Sequence, residues 1–239
     1  MYAHRYMMPQ VNTQGLLAHW KMWDGLCRNT VSHLVFDYAL NGNLGTNTML
    51  EYGAYPGLNF VDGSQINAGS GSTLDNLFDG GASFSGWLKP LDQGQANSGV
   101  VFSKSNATFV AGIALYCNAS DTKLTFIQST TGTDGNWTFP IDMTDGPWQH
   151  VVLIYDADSA GTGGAPTVYV NGEAVVVTEV AAPDAARDSD AAIEMKIGQN
   201  SAGGKSWNGK MDDLMFFDRE LGATEIKSIF SVTRQRYGV

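Results

Sequence analysis

The sequence predicts an all-β protein: a two-sheet antiparallel sandwich with an extended N-terminal arm and one short C-terminal helix. Three observations carry this. Apolar segments of strand length recur every 8–15 residues, separated by turn clusters. Glycine makes up 28 of 239 residues, and of the 24 acids 18 are Asp and six are Glu. Glycine and Asp favour turns, whereas Glu favours helices. Finally, 43% of the chain is hydrophobic and 11% aromatic, enough to fill a core although only 16% is charged.

The elements follow in chain order. Residues 1–14 follow neither a helical nor a strand period and read as an arm, with Tyr2, Tyr6, Met7 and Met8 as candidates for docking on a neighbouring subunit. The remaining residues, 15–239, read as one domain. From Leu16 the chain becomes strand-like. Residues 36–48 form an Asn- and Gly-rich loop. Strand-like segments then start at Gly57, Ser83, Gly99, Phe109, Lys123, Trp148, Pro166, Ala174, Glu194 and Met211. In the segment from Lys123, Leu124 and Phe126 share one face while Thr125 and Ile127 share the other. From Trp148 to Tyr155 both faces are apolar, which predicts a central strand.

Turn chemistry supports the same reading. Asn171 and Gly172 lie between two apolar runs and predict a tight hairpin, because both tolerate positive φ. Asp62 and Gly63 carry a similar signal. Residues 156–166 read as a long hairpin tip and 181–192 as an Ala- and Asp-rich connection. The helix is expected over 222–230, with Gly222 as N-cap and Ile226, Ile229 and Phe230 on one face.

Composition excludes several functions. The net charge is −10, with 14 basic residues, so clustered cations for nucleic acid are lacking. The longest uncharged apolar stretch, Phe109 to Cys117, is far shorter than the roughly 20 residues a membrane helix needs. Cys27 and Cys117 are two free thiols or one bridge, and the first reading is favoured. The N-terminal segment has no apolar core of a secretory signal, so the expectation is either that a signal has been removed or that the protein leaves the cell by another route, such as assembly into a virus particle.

The segments resemble, in order, the laminin G-like jelly roll of the concanavalin A-like lectin/glucanase superfamily. The matching pieces are Gly15–Lys21, Asp37 with Asn41–Thr46, Gly57–Gly63, Phe84–Pro90, Asp145–Val152, Tyr169–Gly172, Ile197–Gly198, Trp207–Leu214, Asp218–Leu221 and Glu225–Ile226. They span roughly residues 15–230. The resemblance implies two curved, packed antiparallel sheets. It does not fix a substrate, because this fold hosts glycan binders, adhesion modules, glycosidases and structural proteins.

A glycosidase needs two carboxylates opposed across a sugar. Catalytic relatives place Glu, Asp and Glu in register on one strand, and no such run exists here. Asp212 and Asp213 are adjacent, so on a regular strand they point to opposite faces. The end of a phosphate-binding loop at Gly203–Ser206 lacks its leading glycine, since Gln199 stands there. His4, His19, His33 and His150 are scattered, and His150 reads as a core histidine.

Calcium needs six to eight oxygens. The loop from Asp37 to Thr46 offers Asp37, Asn41 and Asn43, though turn formation explains the same residues. The resemblance implies one structural calcium between this loop and the late acid pair. The implied set is Asp37 and Asn43 with Asp212 or Asp213. For glycans, Tyr52, Tyr55 and Trp137 are candidate stacking rings, while Trp20, Trp87, Trp148 and Trp207 read as core. The alternative for Trp137 is a ring folded back over a sheet edge. The expected function is a non-catalytic binding or structural module. Its expected place is a virion surface, as a capsid decoration, spike or fibre knob in a homo-oligomer that contacts glycans. The alternative is a free secreted or cell-surface adhesion module, with a glycoside hydrolase as a third.

Overall fold

The computed structural model describes residues 11–22, 28–29, 57–106, 108–118, 123–157 and 164–239. Among them, fifteen strands form two antiparallel sheets that pack face to face. In chain order they are β1 (Leu16–Lys21), β2 (Arg28–Asn29), β3 (Leu58–Phe60), β4 (Ile66–Gly69), β5 (Ala82–Pro90), β6 (Val100–Ser105), β7 (Gly112–Cys117) and β8 (Lys123–Gln128). Then follow β9 (Gly135–Pro140), β10 (Gln149–Tyr155), β11 (Thr167–Val170), β12 (Glu173–Val175), β13 (Thr178–Ala181), β14 (Met195–Ile197) and β15 (Gly209–Phe217). Helix α1 (Ala223–Thr233) continues into a 3-10 turn over Arg234–Tyr237.

The first sheet runs β12-β11-β10-β5-β15-β1-β2, with β3 also paired to β15. The second runs β13-β9-β8-β7-β6-β14-β4. Their facing sides enclose the main core. At one end Trp20, Phe84, Phe102 and Phe216 interlock with ring centroids 4.9–5.8 Å apart. At the other, Phe78, Phe126, Trp137 and Tyr155 form a second aromatic group. Tilted and edge-on contacts of this kind suit the ring quadrupoles.

β10 is the central strand its apolar faces predict, and all seven of its residues are buried. Its inner residues Val151 and Leu153 join the main core, while Val152 and Ile154 face α1. The helix lays Ile226 and Ile229 on Val152, Ile154, Met215 and Phe217. Burying each such side chain stabilises by about 1.5–3 kcal/mol. Gly222 caps α1 as expected, and the helix runs three residues beyond Phe230. Glu225 in its first turn is gripped by the Arg219 guanidinium at 2.8 and 2.5 Å. Val11 packs against this helix cluster and Gln14 accepts from Arg219, so the end of the arm is tied to the sandwich. No described helix is long and apolar enough to cross a membrane.

Asn171 (φ 53) and Gly172 (φ 80) form the expected tight turn between β11 and β12. Asp62 and Gly63 do not make a hairpin. Their turn, closed by the Ser64 amide donating to the Val61 carbonyl, carries the chain from β3 in one sheet to β4 in the other. Residues 135–140, not among the expected strand-like segments, are strand β9. Gly135 is there to make room: a Cβ at that position would lie 2.2 Å from the Trp137 ring.

Candidate functional site

Three loops meet at one rim of the sandwich around Ser206. The first is the turn after β3, whose Gly63 amide donates to Ser206 Oγ at 2.9 Å. The second is the β5–β6 connection. There Gln95 Oε1 accepts from the Ser206 amide and hydroxyl, and the Gln95 amide donates to the Ser206 carbonyl. The third is the segment before β15, where Gln199 Nε2 reaches Ser206 Oγ at 2.8 Å. Ser206 is fully buried, so each of these bonds is made away from water and is costly to leave unmade.

The middle loop is sharply bent. Asp92 accepts from the Gly94 amide at 2.6 Å and from Asn208 Nδ2 at 2.8 Å. Ala96 (φ 55) and Asn97 (φ 53) both adopt the left-handed region, which costs about 1–2 kcal/mol each for residues bearing a Cβ. Gly94 cannot be replaced cheaply, because a Cβ would sit 2.5 Å from the Ser206 carbonyl oxygen. The loop is therefore held by its neighbours in a conformation it would not choose alone.

These loops enclose a cleft of about 530 Å³ lined by Val61, Asp62, Asp92, Gly94, Gln95, Ala96 and Asn208. The size is that of a small-molecule site. Its polar groups are carboxylate acceptors, carboxamides and backbone, beside the aliphatic side chains of Val61 and Ala96. Such a lining can pair with several hydroxyls at once. Both oxygens of Asp92 already accept hydrogen bonds, which suits a fixed acceptor better than a proton donor.

The acid pair expected to help hold calcium is arranged differently from a regular strand. A bulge between Asp212 and Met215, with Asp213 at φ 47, turns both carboxylates to one side. The expectation of opposite faces is thus overturned. Asp212 Oδ1 accepts from the Met22 and Asp213 amides, each at 2.8 Å. Its Oδ2 accepts from Arg236 Nη2 at 2.8 Å, and Asp213 Oδ2 accepts from Arg236 Nη1 at 3.0 Å. The Tyr237 hydroxyl touches both Oδ2 atoms, and Asp213 Oδ1 lies 3.0 Å from His19 Nε2. All four oxygens are occupied by protein groups. Burial, then the Asp213 charge, raise the Asp212 pKa to about 6 against the pull of Arg236 and the two amides. Asp213 titrates below the usual range, held there by His19, Arg236 and Tyr237 against its own burial. The described residues contain no group of three or more His, Cys, Asp or Glu placed to hold a metal. Asp37 and Asn43 lie outside the described residues.

Trp137 is no stacking platform. Its ring is fully buried against Phe126 and Tyr155, and its Nε1 donates to Glu179 at 3.2 Å. Strand alternation on β9 points it into the core, where the ring gains more than at the rim. Trp20, Trp87, Trp148 and Trp207 are buried as expected. Tyr52 and Tyr55, and the docking candidates Tyr2, Tyr6, Met7 and Met8, lie outside the described residues, as does Cys27. Cys117 is a buried free thiol against Met143, with its pKa raised by burial.

His150 is the expected core histidine. Its Nε2 lies 2.9 Å from Ser85 Oγ, its Nδ1 has no partner, and burial lowers its pKa to about 3. The cleft residues Asp92, Gln95 and Asn208 were not singled out from the sequence. The one available signal was the glycine-flanked polar run from Asp92 to Gly99, too long for a tight hairpin turn.

Comparison with known proteins agrees with the architecture. A laminin G-type family model, described as the Concanavalin A-like lectin/glucanases superfamily, matches residues 61–227. No curated protein matches in sequence. Among solved structures, the binding domain of Paraclostridial Mosquitocidal Protein 1 is similar at TM-score 0.65 and 12% identity, with 90% of this chain and 52% of that one covered. The binding domain of Botulinum neurotoxin DC, in complex with rat synaptotagmin II, gives TM-score 0.65 and 13% identity over 93% and 52%. The same toxin's binding domain in complex with SialylT gives 0.63 and 13% over 91% and 51%. The chain thus spans about half the length of these structures, and at such identity the likeness concerns the fold. With the family match extending over more than half of its residues, the chain belongs to the laminin G-type branch of the concanavalin A-like lectin/glucanases superfamily.

Proposed function

We propose that this protein is a non-catalytic binding module whose rim cleft takes a saccharide. The observation that carries the reading is the lining itself. Asp62 and Asp92 offer acceptors, and Gln95 and Asn208 bring carboxamides to the same cleft. Pre-set polar groups on strained, mutually braced loops are what a hydroxyl-rich ligand requires. The similar structures described as binding domains, one of them in complex with SialylT, support the choice of class.

The test is a glycan array followed by calorimetry on the chain and its Asn208→Ala and Asp62→Asn variants. Binding that weakens about tenfold or more in either variant, with unchanged melting, is expected, as lost hydrogen bonds to a ligand carry that weight. A silent array would end this reading. Release of reducing sugar that stops in Asp62→Asn would replace it with the glycosidase reading, since Asp62 and Asp92 share the cleft.

The module is further proposed to work in an assembly, with a virion surface as its setting. Support comes from the acidic, cation-poor sequence and from the arm, whose residues 11–14 are tied down beside α1. Deleting residues 2–10 is expected to turn a homo-oligomer into a folded monomer in light scattering. An unchanged mass would remove this part of the proposal.

A further inference from the structure

Lys104, on β6, is a lysine with no exposed side-chain surface, held between two acids. Its Nζ donates to Asp75 Oδ1 at 2.7 Å, to Asp190 Oδ1 at 2.9 Å and to the Asp190 carbonyl oxygen. Asp75 ends a 3-10 turn (Ser72–Leu74) between β4 and β5, and Asp190 lies in the connection between β13 and β14. Three distant segments thus converge on one ammonium, and none of these residues lines the rim cleft.

As an ion cluster the arrangement is costly. Lysine is almost never fully buried. Here one ammonium faces two carboxylates, which leaves excess negative charge away from water. The Asp190 side chain is 3% exposed and that of Asp75 19%. Burial raises the Asp190 pKa against the bonds from Asn76 and Lys104. Asp190 is also fixed on its other side. The Asn76 amide donates to Asp190 Oδ1 at 2.7 Å, and Asn76 Oδ1 accepts from the Asp190 amide at 3.1 Å. Arg187 Nη1 and Ser189 Oγ donate to the same Asn76 oxygen, each at 3.0 Å. A Cβ on Gly112 would strike both the Lys104 carbonyl oxygen and the Asp190 Cβ, so this glycine lets the two residues approach.

We infer that Lys104 and Asp190 condense into an intramolecular amide, with Asp75 carrying the protons. Asp75 takes one proton from the Lys104 ammonium. The freed Nζ lone pair attacks Cγ of Asp190, and the carbonyl electron pair moves onto Oδ1, where the Asn76 amide donates. Asp75 passes its proton to Oδ2, then takes a second from the nitrogen and passes that on too. The Cγ–Oδ2 bond breaks, its electrons stay with the oxygen, and one water leaves past the partly exposed Asp75. The pair on Oδ1 restores the carbonyl. No co-reactant is needed. The reacting groups are already in hydrogen-bond contact, which spares the entropy of bringing them together. The product removes the ammonium and the buried carboxylate together, and its remaining N–H can still donate to Asp75. The bond would join residues 86 apart in sequence, stapling β6 to the connection before β14.

Intact mass spectrometry of the denatured whole chain reads the reaction directly. The expected mass is about 18 Da below that of the sequence, one water. A tryptic digest should yield a branched peptide joining Lys104 to Asp190 and uncut after Lys104. Lys104→Arg and Asp190→Ala should each keep the full mass. Asp190→Asn should lose about 17 Da, because ammonia then leaves in place of water. Asp75→Ala should keep the full mass while retaining the parent's near-ultraviolet circular dichroism. A parent at its full mass, with the two peptides separate, would overturn the inference without any variant having to fold. So would a water loss mapped to an Asp-Gly pair such as Asp79 and Gly80, where a cyclic imide forms instead. A branched peptide formed in Asp75→Ala as fully as in the parent would overturn the part assigned to Asp75.

Discussion

Asp212 and Asp213, consecutive on β15, turn their carboxylates onto a single tyrosine hydroxyl, that of Tyr237, at 3.1 and 3.0 Å. The fork of Arg236 then closes over the pair, one nitrogen to each acid. Tyr237 stacks on Trp87 at 4.1 Å, so the last turn of the chain is fastened by charge on one side and by rings on the other. The C-terminal segment is therefore part of the sandwich and not an appendage. Removing the guanidinium strands two buried carboxylates. Arg236→Met is expected to cost about 2–4 kcal/mol, near the range for breaking a buried pair, because only the arginine side is partly exposed. Urea unfolding measures it. A loss below about 0.5 kcal/mol would mean the pair needs no counter-charge.

The same geometry bears on calcium. A cation at Asp212 and Asp213 would have to displace Arg236, which already bridges them. Calcium is therefore expected to stabilise the Arg236→Met variant and to leave the parent's melting temperature within about 1 °C of its value in chelator, by ligand linkage. A parent that melts several degrees higher with calcium, by an amount lost in Asp212→Asn, would place the ion at these acids in spite of the arginine.

Asp212 also sets a pH dependence. Its folded pKa of about 6 lies above its unfolded value, so the folded chain holds the proton more tightly. The stability this confers is complete below about pH 4 and is lost as pH rises through 6. Asp212→Asn lacks the titration. The variant should gain on the parent by about 2 kcal/mol between pH 4 and pH 6.5 in paired denaturation curves. A constant difference across that window would contradict the assignment.

His150 acts in the opposite sense. Burial depresses its folded pKa to about 3, below the unfolded value, so the unfolded chain takes up a proton first. The stability from keeping it neutral is full above about pH 6.5 and drains away as pH falls toward 3. Relative to His150→Gln, the parent should lose about 1.4 kcal/mol per pH unit below 6.5. Parallel curves for the two proteins would show that the imidazole titrates normally.

Much of the sandwich was legible because periodicity and turn chemistry are local. β10 announced itself by two apolar faces, the β11–β12 hairpin by Asn171 and Gly172, and α1 by the spacing of Ile226 and Ile229. The rim cleft was not legible. Its lining comes from three loops joined through Ser206, and nothing near Asp92 in sequence tells that Asn208 will meet it. The acid pair was misread for a related reason. A bulge reverses the alternation rule, and the Asp213 backbone reaches φ 47 only because distant Arg236, Tyr237 and His19 reward both carboxylates for facing one way.

Trp137 shows how a local cue can mislead about function, and its replacement separates the two readings. The Asp-Gly-Asn run before it resembles a turn, which suggested a ring at the rim. Gly135 instead vacates the space that the ring fills between Phe126 and Tyr155. Trp137→Ala should therefore destabilise the fold by about 3–5 kcal/mol, as large aromatic truncations in cores do. It should leave glycan affinity unchanged at temperatures where the variant is still folded, because the ring has no exposed surface. Trp137→Phe, which keeps an aromatic in the space but loses the bond to Glu179, should cost less than the alanine. A variant that melts like the parent yet loses its ligand would return Trp137 to the binding surface.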